Sequence, residues 1–357
     1  MSSRSARGVR GVVSPRGVSE RRRSRRDPQG FVQDSDRLPE PTAPEATEAV
    51  FVAADVTAPL RKRRRSGWYW LAYVILVPFA ILFVAPFAWL ISASFQSIGD
   101  MFSWPPQWIP KTPTTTGYQK FLGVGPLKGV DSPQAWRWFA NSTFVAVSVT
   151  VLQLFFNSLA AYVFAKREFP GKNAIFLLFL ATMMIPGQIT LIPNYLVIKH
   201  IPLFGGNNLL GQGGSGWLDS YWGLIMPGVA SAFGIFLLRQ YMVSIPDELL
   251  DAARIDGANE FSIYFRVVLP LCGPALAATG IFTFQGAWED FFWPLIIVSS
   301  PDHYTAPLGL ALFVVEKRTQ WDVLFAGSVI ATLPMIIVFI IFQRRFIQGI
   351  SVSGLKG

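Results

Sequence analysis

Residues 246–270 read PDELLDAARIDGANEFSIYFRVVLP, the most polar passage in an otherwise apolar stretch of a 357-residue chain. Five carboxylates lie between Asp247 and Glu260, over a third of the 14 acidic residues after position 66. A passage so charged, set between two apolar runs, belongs in water. Pro246 suits a first helical position, and Asp247 and Glu248 in the first turn favour the positive end of the helix dipole. Ala252 and Ala253 give a small-residue face that lets another surface approach the backbone closely. Asp256-Gly257 ends the helix, because glycine takes the left-handed conformation at low cost. A second helical segment, 259–268, places Phe261 and Phe265 on one side at i,i+4 spacing. Leu269-Pro270 then turns the chain back. The expected product is a short helix-turn-helix shaped to dock against another protein.

Around this passage the chain is 51% hydrophobic and only 15% charged, too apolar for a soluble domain that must present a charged surface. Six apolar runs follow position 66, at 68–94, 139–165, 174–196, 221–243, 271–298 and 323–343. Each is long enough to cross a hydrocarbon core of about 30 Å as a helix of about 20 residues. Helices are the expected form, since an open strand in lipid leaves backbone polar groups unpaired. The fold class is therefore all-α: a polytopic membrane protein with six transmembrane helices and a polar loop at 246–270. Pro78, Pro86, Pro186, Pro227, Pro294 and Pro334 fall within these runs and are tolerated where neighbouring helices cover the freed carbonyls.

Basic residues beside the spans set the orientation. Arg61 to Arg65 precede the first span, Lys166, Arg167 and Lys172 fill the link between the second and third, and Arg344 and Arg345 follow the sixth. With six spans all three places share one side, the cytoplasm, which puts both termini and residues 246–270 there too. The outer segment near 95–138 carries Lys111, Lys120, Lys128 and Arg137, so the bias is moderate.

The net charge of +9 belongs mainly to residues 1–66, which hold 15 Lys/Arg against 8 Asp/Glu. Rich in Arg, Pro, Ala, Ser and Glu, they read as a disordered cytoplasmic tail. An organelle transit peptide over the first 26 residues, or residues preceding the true translation start, are alternatives. The single cysteine, Cys272, excludes an internal disulfide and a CxxC site, and His200 and His303 form no HExxH pattern. No metal site, cofactor site or catalytic constellation is expected. GQGGSG at 211–216 is a literal GxGxxG, but it lies in a loop between two spans and not between a strand and a helix. NST at 141–143 opens a span and reads as a chance glycosylation signal. A P-loop is absent, because Gly171-Lys172 is followed by Asn173. If ATP drives this protein, a separate subunit hydrolyses it.

The passage at 246–270 resembles the EAA loop of the integral membrane permeases of ABC importers. That pattern is Glu-Ala-Ala, three residues, Gly, nine residues, Ile, one residue, Leu-Pro. Asp251-Ala252-Ala253, Gly257, Val267 and Leu269-Pro270 match at those spacings, with Asp251 for Glu and Val267 for Ile. Residues 156–173, 183–198 and 234–258, and the ending RRFIQGISVSGLKG at 344–357, are similar to the carbohydrate importers of the maltose-permease type, in particular the MalG-like subunit. The resemblance spans about residues 68–357 and leaves the tail unmatched, so 67–357 is read as the permease domain. It implies a plasma-membrane subunit that forms half of a translocation pathway for a sugar or oligosaccharide and performs no chemistry on it. Its implied partners are a MalF-like second permease, two cytoplasmic ATPase subunits and an extracytoplasmic solute-binding protein. It also implies that Asp251, Ala252, Ala253, Gly257, Val267, Leu269 and Pro270 serve ATPase coupling.

In WEDFFWPL at 288–295 the family usually has Asn where this chain has Glu289. A carboxylate facing lipid is costly, so Glu289 and Asp290 are expected to face the pathway, the partner permease or water. Trp288 and Trp293 beside them could stack on a sugar ring. These four are the expected substrate-pathway residues; the alternative is an interfacial anchor. Gln348 to Gly357 are expected to be a small, flexible ending that touches the ATPase pair, or a free solvated tail. Competing readings of the whole chain are an ABC permease for another solute such as a polyamine or phosphate, and a secondary transporter using the two carboxylates without an ATPase. The latter has no use for a docking loop and would favour repeated halves, of which none is seen. A membrane-anchored nucleic-acid binder would need a folded reader that the tail lacks.

Overall fold

The computed structural model describes residues 68–124, 135–314 and 319–354, and the side chains from 70 to 343 within those ranges. Residues 1–66, read as a tail, lie outside the described residues. All regular elements among the described residues are helical. α1 (Trp68–Ala93) leads, followed by α2 (Ile98–Met101), α3 (Thr116–Leu122) and α4 (Ala135–Lys166). Then come α5 (Lys172–Thr182), α6 (Gly187–Lys199), α7 (Tyr221–Ile225) with a 3₁₀ turn through Gly228, and α8 (Ala232–Val243). The polar passage forms α9 (Asp247–Ile255), α10 (Glu260–Ile263), a π-helical turn over 264–268 and α11 (Leu269–Leu271). α12 (Gly273–Glu289), α13 (Phe292–Ile297), α14 (Ala306–Ala311) and α15 (Trp321–Gly354) complete the chain.

Only three of the six expected spans are continuous helices, within α1, α4 and α15. The other three are bent pairs: α5 with α6 at 103°, α7 with α8 at 40°, and the 260–271 helix with α12 at 79°. The breaks have local causes. Before Pro186 the chain tightens, with Met183, Met184 and Ile185 each donating three residues back, and proline disfavours a helical residue ahead of it. Pro227 sits in the 3₁₀ turn, and Ser231 restarts α8 by accepting from Gly234 N–H at 3.1 Å. The third bend falls at Cys272 (φ −81°, ψ 6°), which ends α11 and starts α12, and beyond α12 the backbone turns extended at Asp290, with ψ 118°. Such irregular backbone is tolerated at membrane depth where protein covers it. Asn157 of α4 does so for α8, accepting from Ser231 N–H at 3.0 Å.

α4 is the axis of the bundle, 32 residues and thus about 48 Å long at 1.5 Å per residue. It packs on α8 and α12, and α12 packs on α15. α1 is apolar on all sides and most of its described side chains are exposed, as expected of a helix facing hydrocarbon. At the Lys166 end of α4, Leu238, Met242, Leu250, Ile263, Tyr264 and Val268 share one buried cluster. At its other end, buried Asn141 donates to the carbonyls of Asp302 and Tyr304 at 2.8 and 2.9 Å and accepts from Tyr221 Oη at 2.7 Å. The NST triplet is thus a structural pin.

The GQGGSG segment lies in the loop from α6 to α7, with helix on both sides. Its glycines meet packing demands: a Cβ on Gly214 would lie 2.1 Å from the Gly205 carbonyl oxygen. Near this end Asp219 Oδ1 accepts from the N–H groups of Ser299 and Ser300 and from the Ser300 hydroxyl. Against a burial cost, these bonds and His303 hold the Asp219 carboxyl below the usual range. The helix of the C-terminal segment continues to Gly354, so the expected flexible ending is helical that far. An established helix extends by one hydrogen bond per added residue, and no proline follows Pro334. Residues 355–357 lie outside the described residues.

Candidate functional site

The passage at 246–270 folds as a braced hairpin of helices. Pro246 is the N-cap of α9 and not its first helical residue (φ −59°, ψ 135°), so Asp247 and Glu248 open the helix. Gly257 has φ +81°. Its N–H donates to Arg254 O at 3.0 Å and Ala258 N–H to Ala253 O at 2.9 Å, the pair of bonds that closes a helix through a left-handed residue. Asn259 then caps α10, its Oδ1 accepting from Ser262 N–H at 2.9 Å.

The charges turn out to be largely internal braces. Lys166, whose side chain is only 4% exposed, donates to Asp247 at 2.7 Å and to the Ile245 carbonyl at 2.5 Å. That hydrogen bond and charge, with Arg254 adding, hold the Asp247 carboxyl below the usual carboxylate range. Arg167 pairs with Glu260, which also accepts from Tyr162 Oη at 2.8 Å. Arg254 spans Asp251 at 2.5 Å and Glu260 at 3.4 Å. In the interior the Tyr264 and Ser158 hydroxyls are 2.6 Å apart. The link after α4, counted above only for its charge sign, thus clamps the passage to α4 from both sides of the turn.

The seven residues expected to serve coupling are divided by this packing. Asp251, Ala252, Gly257 and Pro270 are exposed, Val267 and Leu269 are half-buried, and Ala253 packs inward against the buried cluster around Leu250. Ala252 and Ala253 therefore do not form one face. The outward face carries apolar residues that the motif does not contain: Leu249, Ile255, Phe261 and Phe265, with Ile255 at 87% and Phe261 at 71% exposure. Leu249, Ala252 and Ile255 recur every three residues, a signal present in the sequence but overshadowed by the alanine pair.

A second feature lies further along α4. A cavity of about 550 Å³ is bounded by α4, α6, α12 and α13 and by the break before α8. The bends between α5 and α6 and between α7 and α8 meet there with the break between α12 and α13, contributing Gly187, Gly228, Ser231 and Asp290 to its lining. Gln153 ties two of these elements together, donating to the Gly228 carbonyl at 2.7 Å and accepting from the Thr283 hydroxyl at 2.6 Å. Of the four expected pathway residues, only Asp290 and Trp293 line the cavity. Asp290 Oδ1 accepts from Trp293 N–H at 3.3 Å, and the indole N–H of Trp293 donates to Gly223 O at 2.9 Å. Trp288 is buried instead, stacked on Phe284 and bonded to Ala331 O of α15 at 3.1 Å. Glu289 is exposed and accepts from Gln285. Thr305, which sequence reasoning passed over, lines the cavity with a buried hydroxyl that has no hydrogen-bond partner.

Comparison with known proteins agrees with this architecture. Residues 153–352 match the family model of the binding-protein-dependent transport system inner membrane component. The arabinooligosaccharides transport system permease protein AraQ of Halalkalibacterium halodurans is 35% identical over 81% of this chain and 96% of its own. The sn-glycerol-3-phosphate transport system permease protein UgpE of Salmonella typhimurium is 32% identical over 78% of this chain and 91% of its own. A bacterial ABC transporter involved in the import of the acidic polysaccharide alginate contains a chain with the same fold. Its TM-score is 0.64 at 24% identity, covering 78% of this chain and 96% of that one. With more than half its length matched, the chain belongs to the family of binding-protein-dependent transport system inner membrane components, the multi-pass permeases of ABC importers.

Proposed function

We propose that this chain is one of two permease subunits of an ABC importer for a sugar or oligosaccharide, and that α9 to α11 couple it to a cytoplasmic ATPase. The observation that carries the reading is the exposed apolar face of Leu249, Ala252, Ile255, Phe261 and Phe265. It stands on a segment in which Asp247, Asp251, Arg254 and Glu260 are engaged in ion pairs. Exposed apolar side chains set among charges on a polar segment suit a protein-docking surface. The braces to Lys166, Arg167, Tyr162 and Ser158 give it a path to α4, and the continuous chain to α12 gives it a second. Both helices reach the cavity, so displacement of the docked segment moves the cavity walls. In this reading six spans, three of them bent, cross the membrane. Both termini and α9 are cytoplasmic, and the ATP is hydrolysed by a separate pair of subunits. A second permease completes the pathway, and an extracytoplasmic binding protein delivers the solute.

The solute class follows the relatives. Arabinooligosaccharides and sn-glycerol 3-phosphate stand in their names, and alginate in that of the structural neighbour. Carbohydrates and their close polyol derivatives are the common ground. The test is uptake of labelled arabinotriose, maltotriose and sn-glycerol 3-phosphate by cells with and without the chain, restored from a plasmid. Loss and restoration of uptake of at least one carbohydrate is expected. Equal uptake of all of them in both strains would overturn the sugar reading.

A further inference from the structure

We infer that the 550 Å³ cavity between α4, α6, α12 and α13 is a solute subsite of this subunit, taking uncharged hydroxyl-rich solutes and rejecting anionic ones. The inference rests on the import reading and narrows it. Three observations converge. First, interrupted helices in a transporter mark where backbone is left open beside a solute path, and two of the three bends, with the separate break between α12 and α13 at Asp290, contribute to this lining. The volume lies within the range of cavities that receive small-molecule ligands.

Second, the lining is dressed for polyols. The Thr305 side chain is buried with its hydroxyl unpartnered, an arrangement that costs stability until something bonds to it. A turn of the side chain towards the cavity would let a solute hydroxyl satisfy it as donor or acceptor. The amides of Gln188 and Asn194 line the same cavity, and each offers both donors and an acceptor. Trp293, fixed by its bond to Gly223 O, also lines the cavity, and an indole ring can stack on the C–H face of a sugar.

Third, the lining holds no Lys, Arg or His, and its one ionisable side chain is Asp290. A phosphate or carboxylate entering this space would give up its hydration without meeting a counter-charge, and Asp290 adds repulsion when ionised. Uncharged hydroxyls carry no such penalty.

The test is direct binding to the whole transporter in nanodiscs, without its binding protein, by saturation-transfer NMR. The probes are arabinotriose, sn-glycerol 3-phosphate and trigalacturonate. Arabinotriose should bind at least tenfold more tightly than either anion. Thr305→Val should weaken arabinotriose several-fold, and Asp290→Lys should shrink or reverse the preference, with ATPase co-purification unchanged in both. Anions bound as tightly as arabinotriose by the native transporter would overturn the inference. So would arabinotriose binding untouched by both variants, or no binding by any probe. Each of these outcomes leaves the uptake test of the chain itself intact, so failure of the subsite and failure of the import reading are separable.

Discussion

Replacing Gly257 isolates the turn that shapes the coupling segment. Its φ of +81° lies in the left-handed region, yet a Cβ there would meet nothing within 4 Å. The cost of Gly257→Ala is therefore conformational and not steric, about 1–2 kcal/mol for an L-residue in that region. Such a penalty lowers the ratio of closed to open turn roughly 5- to 30-fold. The two closing bonds, Gly257 N–H to Arg254 O and Ala258 N–H to Ala253 O, would be lost first. Gly257→Asn should recover most of the deficit, because asparagine tolerates the left-handed region. A β-branched Gly257→Val should be worse than alanine. Hydrogen exchange over 246–270 in the purified permease, with ATPase co-purification alongside, reads both consequences. Exchange and co-purification should rank glycine, asparagine, alanine, valine from best to worst. Equal behaviour of all four would refute the claim that this turn presents the docking face.

Other substitutions separate docking from packing. Ile255→Asp should abolish ATPase co-purification while leaving thermal stability within about 0.5 kcal/mol, as for an exposed site. Ala253→Trp should instead lower stability, by about 1–3 kcal/mol for overpacking, because it points into the cluster around Leu250. Trp288→Ala should cost about 3–5 kcal/mol as a large-to-small core change, whereas Glu289→Gln should be near neutral in a denaturation series. Lys166→Met should loosen the 246–270 segment by about 1.5–3 kcal/mol through loss of its bond to Ile245 O. Asp247 has a folded pKa below its unfolded value near 3.9. Its contribution should therefore be fully present above about pH 5, and lost as pH falls through the folded pKa. Exchange protection of α9 between pH 5 and 8, corrected for intrinsic rates, should be flat.

The turn was legible because a single residue type answers a single backbone demand: glycine at 257 reads as a left-handed stop and is one. The face of α9 was not, because Leu249-Leu250 is an apolar doublet and a nine-residue helix leaves both faces open. Only the packing of Leu250, 1% exposed, against Tyr264 and Val268 decides between them. The apolar runs were legible as hydropathy, but hydropathy counts length and is blind to continuity. Pro186 and Pro227 were visible, while bends of 103° and 40° depend on what neighbouring helices cover. At 288–293 composition placed four functional-looking residues together. A helix end and an extended residue then sent Trp288 into the core and Asp290 into the cavity. Thr305 carried no sequence signal at all, since a lone threonine between apolar residues is unremarkable until its hydroxyl is seen to lack a partner.

The measurement that bears most directly on the central claim is thiol cross-linking in the native membrane. Cys272 is this chain's only cysteine and is fully buried, so an introduced thiol is the one accessible thiol of this subunit. Ile255→Cys and, separately, Leu209→Cys in the loop at the opposite end of α4 are labelled with maleimidobenzophenone in membranes carrying the whole transporter and irradiated, so that the excited ketone inserts into a C–H bond of whatever protein lies beside it. A cross-link should form from position 255 to the ATPase subunit and none from position 209. A cross-link to the ATPase from 209, or its absence at 255 in a transporter that still imports its solute, would contradict the coupling assignment.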